Sequence, residues 1–343
     1  MNSEKRQTEL TYKDAGVDRS VSEAAKGSIK DLARATYSDN VLKGIGLFSG
    51  FYQLDLQPYK QPILVSSIDG VGTKVKIAEM VGVFDSIGVD LVNHSVNDIM
   101  VCGADPLFFL DYLAADKLEV HVIENVIQGI SEACQVAGCA LLGGETAEMP
   151  GVYERGNFDV AGAIVGIIDK PDIIDGSDIA AGDVLVGVAS NGLHTNGYSL
   201  VRKVFFEHQH YSVSQSFADL EFDLGHELLR PHRSYANLIK KCRNLSGLTG
   251  IAHITGGGIV DNTCRLLSDQ LKLNIDWHSW QRPEIFNLIQ QTGNVPESDM
   301  RETFNLGVGL ILICRPDSVD EIFKMSRETM DQCYIIGSIT SAE

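Results

Sequence analysis

Past a polar opening segment, strand-sized apolar runs alternate with helical patterns through the whole chain, which restricts it to α/β architectures. Pro62 to Ser67, Leu107 to Ala114, Ala140 to Leu142 and Phe158 to Ile168 read as the strands of a first unit. Helical spacing over Thr73 to Val81, Phe84 to Cys102 and His121 to Ala137 separates them. Lys170-Pro171-Asp172 marks a linker, so domains of residues 1–170 and 171–343 are expected. The second unit reads as strands at Asp183 to Ala189, Ile251 to Ile254, Leu271 to Trp277, Val308 to Cys314 and Tyr334 to Ile339, with helices starting at Tyr198 and Ile259. Residues from Met1 to about Leu42 form a polar arm with one short helix, and Gly44 to Gly50 is glycine-spaced like a mobile loop.

Three junctions in the first unit pair a carboxylate with glycine. They are Asp69-Gly70-Val71-Gly72-Thr73-Lys74, Asp98 to Pro106, and Gly143-Gly144-Glu145 running on to Gly151. Glycine lets backbone N–H groups approach an anion closely, and carboxylates suit hard cations such as Mg²⁺. A metal-bridged phosphate site is the chemistry this pattern points to. No G-x-x-x-x-G-K-[ST] loop occurs, so a nucleotide would be held by another device. No strand leads into G-x-G-x-x-G with a downstream acid, which argues against a dinucleotide-binding dehydrogenase.

Each candidate also has an ordinary structural role. Asp69 or Asp98 alone could be a turn acid or a helix-end residue; with Glu145 they could hold Mg²⁺. Asp98 closes a helix, where the dipole disfavours negative charge, so a compensating cation is expected beside it. Lys74 could meet a phosphate oxygen or sit solvated in a first helical turn. Asp90, His94, Asn97 and Asp98 share one face of the Phe84 to Cys102 helix, a polar stripe that is solvated, capped or ligand-facing. Thr255-Gly256-Gly257-Gly258, between a strand and a helix, has the form of an anion nest, where a plain tight turn needs one glycine. His194 and Asn196 lie in a polar loop, either as a proton carrier and a substrate contact or as loop caps.

Composition narrows the partners. At 343 residues and 44% hydrophobic content the chain can bury a core, and its net charge of -18 speaks against non-specific nucleic-acid binding. Seven cysteines without a C-x-x-C pair read as buried small hydrophobes in a reducing cytosol. Met1 to Leu10 lacks a signal-peptide core, and no apolar run is long enough to span a bilayer, so a cytoplasmic location is expected.

These segments, in this order, resemble the aminoimidazole ribonucleotide synthetase (phosphoribosylformylglycinamidine cyclo-ligase) family. The resemblance runs from Asp14-Ala15-Gly16-Val17-Asp18 to Ile336-Gly337. The D-x-x-x-x-G-A-x-P run at Asp98 is similar to the ATP-site signature of the wider superfamily. Gly143 to Gly151, His194 to Arg202, Ala252 to Gly258 and Phe304 to Gly309 resemble the cyclo-ligases themselves. The resemblance implies two α+β domains and a homodimer that pairs its N-terminal sheets. It also implies ATP-dependent ring closure of formylglycinamidine ribonucleotide in purine biosynthesis, giving ADP and phosphate. It places Asp69, Gly70, Gly72, Thr73, Lys74, Asn97, Asp98, Gly144 and Glu145 at ATP, with Asp69, Asp98 and Glu145 on Mg²⁺. His194, Asn196, Thr255 and Gly256 to Gly258 fall to the substrate, and His194 and Lys74 to catalysis. Rival readings are a thiamine-phosphate or selenide kinase, which the His194 to Arg202 run and the triglycine disfavour, and a non-catalytic nucleotide-binding paralogue, which the intact acids disfavour.

Three positions depart from the family pattern. Ile68 stands where a hydroxyl residue is usual, and its loss could remove a hydrogen bond near phosphate. His232 replaces an expected Thr, and Cys264 an expected Pro.

Overall fold

The computed structural model describes residues 10–12 and 19–342. Almost all of the Met1 to Leu10 segment and the Asp14 to Asp18 motif lie outside the described residues. In chain order, helix α1 is Arg19–Arg34, and a small ribbon pairs β1 (Val41–Lys43) with β2 (Phe51–Tyr52). Then come β3 (Pro62–Gly70), α2 (Val75–Val81), α3 (Asp85–Met100), β4 (Asp105–Ala115), α4 (Val120–Ala137), β5 (Ala140–Glu148) and β6 (Phe158–Asp169). After 169 the chain builds β7 (Val184–Ala189), α5 (Tyr198–Arg202), α6 (Leu224–Leu228), α7 (Ala236–Cys242), β8 (Leu248–His253) and α8 (Gly258–Cys264). It closes with β9 (Leu271–Ile275), α9 (Glu284–Gly293), α10 (Glu297–Thr303), β10 (Val308–Cys314), α11 (Val319–Glu328) and β11 (Cys333–Ser341).

The first sheet has the order β3-β6-β4-β5, antiparallel except for the β4–β5 pair. One face is covered by α3, whose Ile87, Leu91, Val92, Val96 and Ile99 are buried. Helix α3 meets α4 at two glycines: a Cβ on Gly88 would lie 2.0 Å from the Val126 carbonyl, and one on Gly129 1.9 Å from that of Asp85. Only glycine permits so close a crossing. The other face carries Leu64, Ile68, Leu110 and Tyr112, all exposed. Ile68 therefore points away from Asp69 and onto an open apolar surface, 74% exposed. It is not placed to affect a hydrogen bond on the Asp69 side.

The second sheet, ordered β8-β10-β7-β11-β9, is antiparallel throughout. Alternation puts Leu310 and Leu312 of β10 into the large core shared with the first domain. Ile311 and Ile313 enter a second core with Leu185, Ile259 and Trp280.

Strand β5 runs six residues past the expected Leu142 and takes in Gly143, Gly144 and Glu145. Glycine is poor in isolated strands, but here Gly144 faces Asp111, whose Oδ1 would lie 2.1 Å from any added Cβ. The seven cysteines form no disulfide; four are buried, whereas Cys264 is exposed and so departs from the expected buried role.

Candidate active site

Asp69 ends β3 on the α3 side of the sheet, one helical layer from Asp98 in the last turn of α3. Ser67 Oγ lies 3.3 Å from Asp69 Oδ2 and 3.2 Å from Asp98 Oδ2, so one hydroxyl ties the two carboxylates together. Burial and the neighbouring Asp98 push the Asp69 carboxyl up to about 7. Burial acts the same way on Asp98, yet hydrogen bonding from His253 outweighs it and holds Asp98 well below the usual carboxylate range. The partner at the end of α3 comes from across the domain boundary, as a hydrogen bond of 2.7 Å between His253 Nδ1 and Asp98 Oδ1.

Most of the polar stripe of α3 docks on the second domain, while Asp98 at its end lines the cleft. Asp90 receives the Lys74 ammonium at 2.8 Å and the His232 backbone N–H at 2.6 Å. Asn93 donates to the His232 carbonyl, and Asn97 donates to the Arg233 carbonyl while accepting from the Tyr235 N–H. Lys74, with a wholly buried side chain, also donates to the carbonyls of His194 and Arg230. Its three donors are spent, so this arrangement leaves none for phosphate. Asn97, too, is buried in this seam. Thr73 Oγ1 meets Ser199 Oγ at 3.1 Å, another bridge between domains.

Four histidines gather behind the acids. His194 stacks on His232 with centroids 4.1 Å apart, and His94 and His253 lie about 5 Å from His232. His194 adopts φ 61°, unusual for a non-glycine residue, and is fully buried with neither ring nitrogen hydrogen-bonded. Burial first, then His253 and Lys74, push it well below the usual histidine range. A neutral, enclosed ring of this kind is not positioned to carry a proton at the cleft.

The cleft itself, about 430 Å³, lies between the domains and is lined by Asp69, Asp98, His253, Thr255, Asn262 and Arg265. Thr255 opens the triglycine loop. Asn262 of α8 donates to the carbonyls of Thr255, Gly256 and Gly258 and fixes its shape. Gly257 and Gly258 have φ of 94° and 68°, and a Cβ on Gly258 would meet the Arg301 carbonyl at 1.9 Å. A Cβ on Gly256 would lie 3.4 Å from Asn196 Oδ1, which puts Asn196 beside the loop.

Glu145 does not join the acid pair within one chain. Asp69, Gly162, Asp111 and Gly144 form one row across the sheet, so β5 lies about 14 Å from Asp69 at ~4.8 Å per strand. Glu145 follows Gly144 and shares the opposite face with Tyr112. Gly70 and Gly72 stay beside Asp69, and Gly72 needs its φ of 57°. Sequence reasoning placed His94 and Asp90 on the stripe but gave neither a role. It passed over Arg265, and over His253, whose partner Asp98 comes from the other domain.

Two family models cover most of the chain: the N-terminal domain of AIR synthase related proteins over residues 54–168, and the C-terminal domain over residues 180–343. The chain belongs to the AIR synthase family. Phosphoribosylformylglycinamidine cyclo-ligase of Thermoanaerobacter pseudethanolicus is 47% identical over 97% of this chain and 98% of its own length. The enzyme of that name from Carboxydothermus hydrogenoformans is 48% identical over 98% and 97%. Among solved AIR synthase-like folds, thiamine-monophosphate kinase from Stenotrophomonas maltophilia aligns over 92% of this chain and 94% of its own, with TM-score 0.71 at 17% identity. The hydrogenase maturation protein HypE in complex with ATP aligns over 93% and 87%, with TM-score 0.64 at 16% identity. At those identities the likeness is one of fold. No helix among the described residues is long and apolar enough to cross a membrane.

Proposed function

We propose that this protein is a cyclo-ligase that closes the imidazole ring of aminoimidazole ribonucleotide at the expense of ATP. One observation carries the reading: the cleft between the domains brings the Asp69–Asp98 pair and the loop opening the triglycine to one cavity. The near-full-length identity to named cyclo-ligases supplies the substrate. The first domain (1–170) handles ATP and the dimer contact, and the second (171–343) holds the substrate phosphate.

The residues fit the hard cation the family implies. Two carboxylates held by one serine suit Mg²⁺, which when bound would neutralise phosphate charge. Gly70 and Gly72 keep side chains out of the nucleotide's approach, while the backbone N–H groups of Gly256 and Gly257, with Arg265, receive the substrate phosphate; the Gly258 N–H closes the loop on the Thr255 carbonyl. Thr255 and Asn196 border that loop. Lys74, Asn97 and His194 serve as positioning residues in the domain seam. Glu145, on the open sheet face, would reach a nucleotide only through a second copy of the chain, which accords with a homodimer joined by that face. A cytoplasmic site of action follows from the substrate.

Ring closure requires the ribose-bearing nitrogen to attack the formyl carbon and expel its oxygen, a poor leaving group as oxide or hydroxide. Transfer of the γ-phosphoryl group of ATP to that oxygen gives an iminophosphate and ADP. Attack on the carbon then breaks its bond to oxygen and releases phosphate. Placing ¹⁸O in the substrate's formyl group tests this, and the label is expected in released phosphate. Unlabelled phosphate with the label in water would overturn it.

A further inference from the structure

The Phe304 to Gly309 run, distinctive in the sequence, contributes no residue to the lining of the cleft. Its place in the second sheet gives it a different part. Strand β10 lies between β7 and β8 and runs antiparallel to both. The chain entering β10 therefore sits between the chains leaving β7 and β8, at one end of the sheet. Those exits are the 190–197 loop, which carries Asn196, and the 254–258 loop, which carries the triglycine.

The entry segment is fastened to both loops. On the β7 side, the buried Asn305 donates through Nδ2 to the Gly192 carbonyl at 2.9 Å. Its Oδ1 accepts from Ser190 Oγ at 2.9 Å and from the Gly307 N–H at 2.8 Å. The Ser190 N–H donates to the Gly307 carbonyl at 2.9 Å, and a Cβ on Gly197 would lie 2.1 Å from the Phe304 ring. On the β8 side, the Ile254 N–H donates to the Gly309 carbonyl at 3.0 Å. Gly258 packs so closely there that a Cβ would lie 1.9 Å from the Arg301 carbonyl oxygen and 3.2 Å from that of Phe304. Between the two sides the backbone reverses through φ of 50° at Leu306 and 101° at Gly307, with the Leu306 carbonyl held by Trp280 Nε1–H at 2.9 Å. A left-handed leucine persists only where its surroundings over-determine it.

We propose that the entry to β10 is the spacer that sets Asn196 against the Gly256 and Gly257 N–H groups, with Asn305 as its positioning residue. No hydrogen bond links the two loops directly among the described residues, and this segment bonds to both. Loops held in place before binding lose little ordering entropy when a phosphorylated ligand arrives, so loosening one of them costs affinity for that ligand. The ATP side, built on the first domain, is untouched by the spacer. This assignment deepens the substrate-phosphate part of the functional reading and rests on it.

Steady-state kinetics of the full-length chain with formylglycinamidine ribonucleotide and Mg²⁺-ATP test the assignment. Asn305→Ala leaves the Gly192 carbonyl and the Gly307 N–H without partners and should raise the ribonucleotide KM by at least about tenfold. The ATP KM and kcat should stay within about twofold, the pattern of lost ground-state binding. Ser190→Ala removes one donor and should raise the same KM by about threefold. It carries the test by itself if circular dichroism shows Asn305→Ala unfolded. An unchanged ribonucleotide KM in the folded variant, or an equal loss in kcat or in ATP KM, overturns the proposal. Absence of ribonucleotide-dependent ATP turnover in the native chain is a separate result, which would overturn the functional reading and the spacer's role with it.

Discussion

Lys74 shows how a single buried charge can be mistaken for a ligand contact. From its place after Asp69-Gly70-Val71-Gly72-Thr73 it could serve phosphate; in the folded chain it is wholly enclosed and neutralises Asp90. Burial pushes Asp90 up to about 6 even with the ammonium beside it, so removing the partner would leave a charge with no compensation. Lys74→Met is therefore expected to cost about 3–5 kcal/mol, as for other broken buried pairs. The double variant Lys74→Met with Asp90→Leu should regain most of that loss. Urea unfolding of the two variants checks this; equal losses would show that the pair's charge is not what matters.

At the scale of elements, the seam between α3 and the 230–235 segment sets the protein's response to acid. His194 and His232 are both pushed well below the usual histidine range, chiefly by burial. Their folded pKa values lie below the unfolded value, so an unfolded chain binds protons here that the folded chain refuses. Stability from these groups is complete above about pH 6.5 and is lost as pH falls below it, at up to ~1.4 kcal/mol per unit for each histidine. Thermal unfolding between pH 7.5 and 5.5 should show a steep fall, and His232→Thr a shallower one. Parallel slopes would remove the seam histidines from the account.

For the whole molecule, the open face of the first sheet is the outstanding surface. Leu64, Ile68, Leu110 and Tyr112 lie exposed on it together, an apolar surface of the kind that marks a contact site. In a twofold pairing each residue is used twice, so Ile68→Glu brings two like charges into one interface. Sedimentation should show a dimer for the native chain and a shift to monomer for this variant, with unchanged circular dichroism; an unshifted dimer would place the contact elsewhere. What the sequence by itself determined is local in origin. Periodicity located most strands of both sheets, β10 to its ends, because side-chain alternation and helical spacing are written in neighbouring residues. The acid and glycine motifs likewise marked Asp69, Asp98 and the triglycine loop. Only the tertiary structure decided what those residues meet. Asp98 finds His253 from 155 positions away, Lys74 finds the His194 carbonyl 120 positions on, and Glu145 lands on the far face of the sheet. Burial and partnership across a domain boundary depend on how two sheets pack, and no local pattern of residues carries that information.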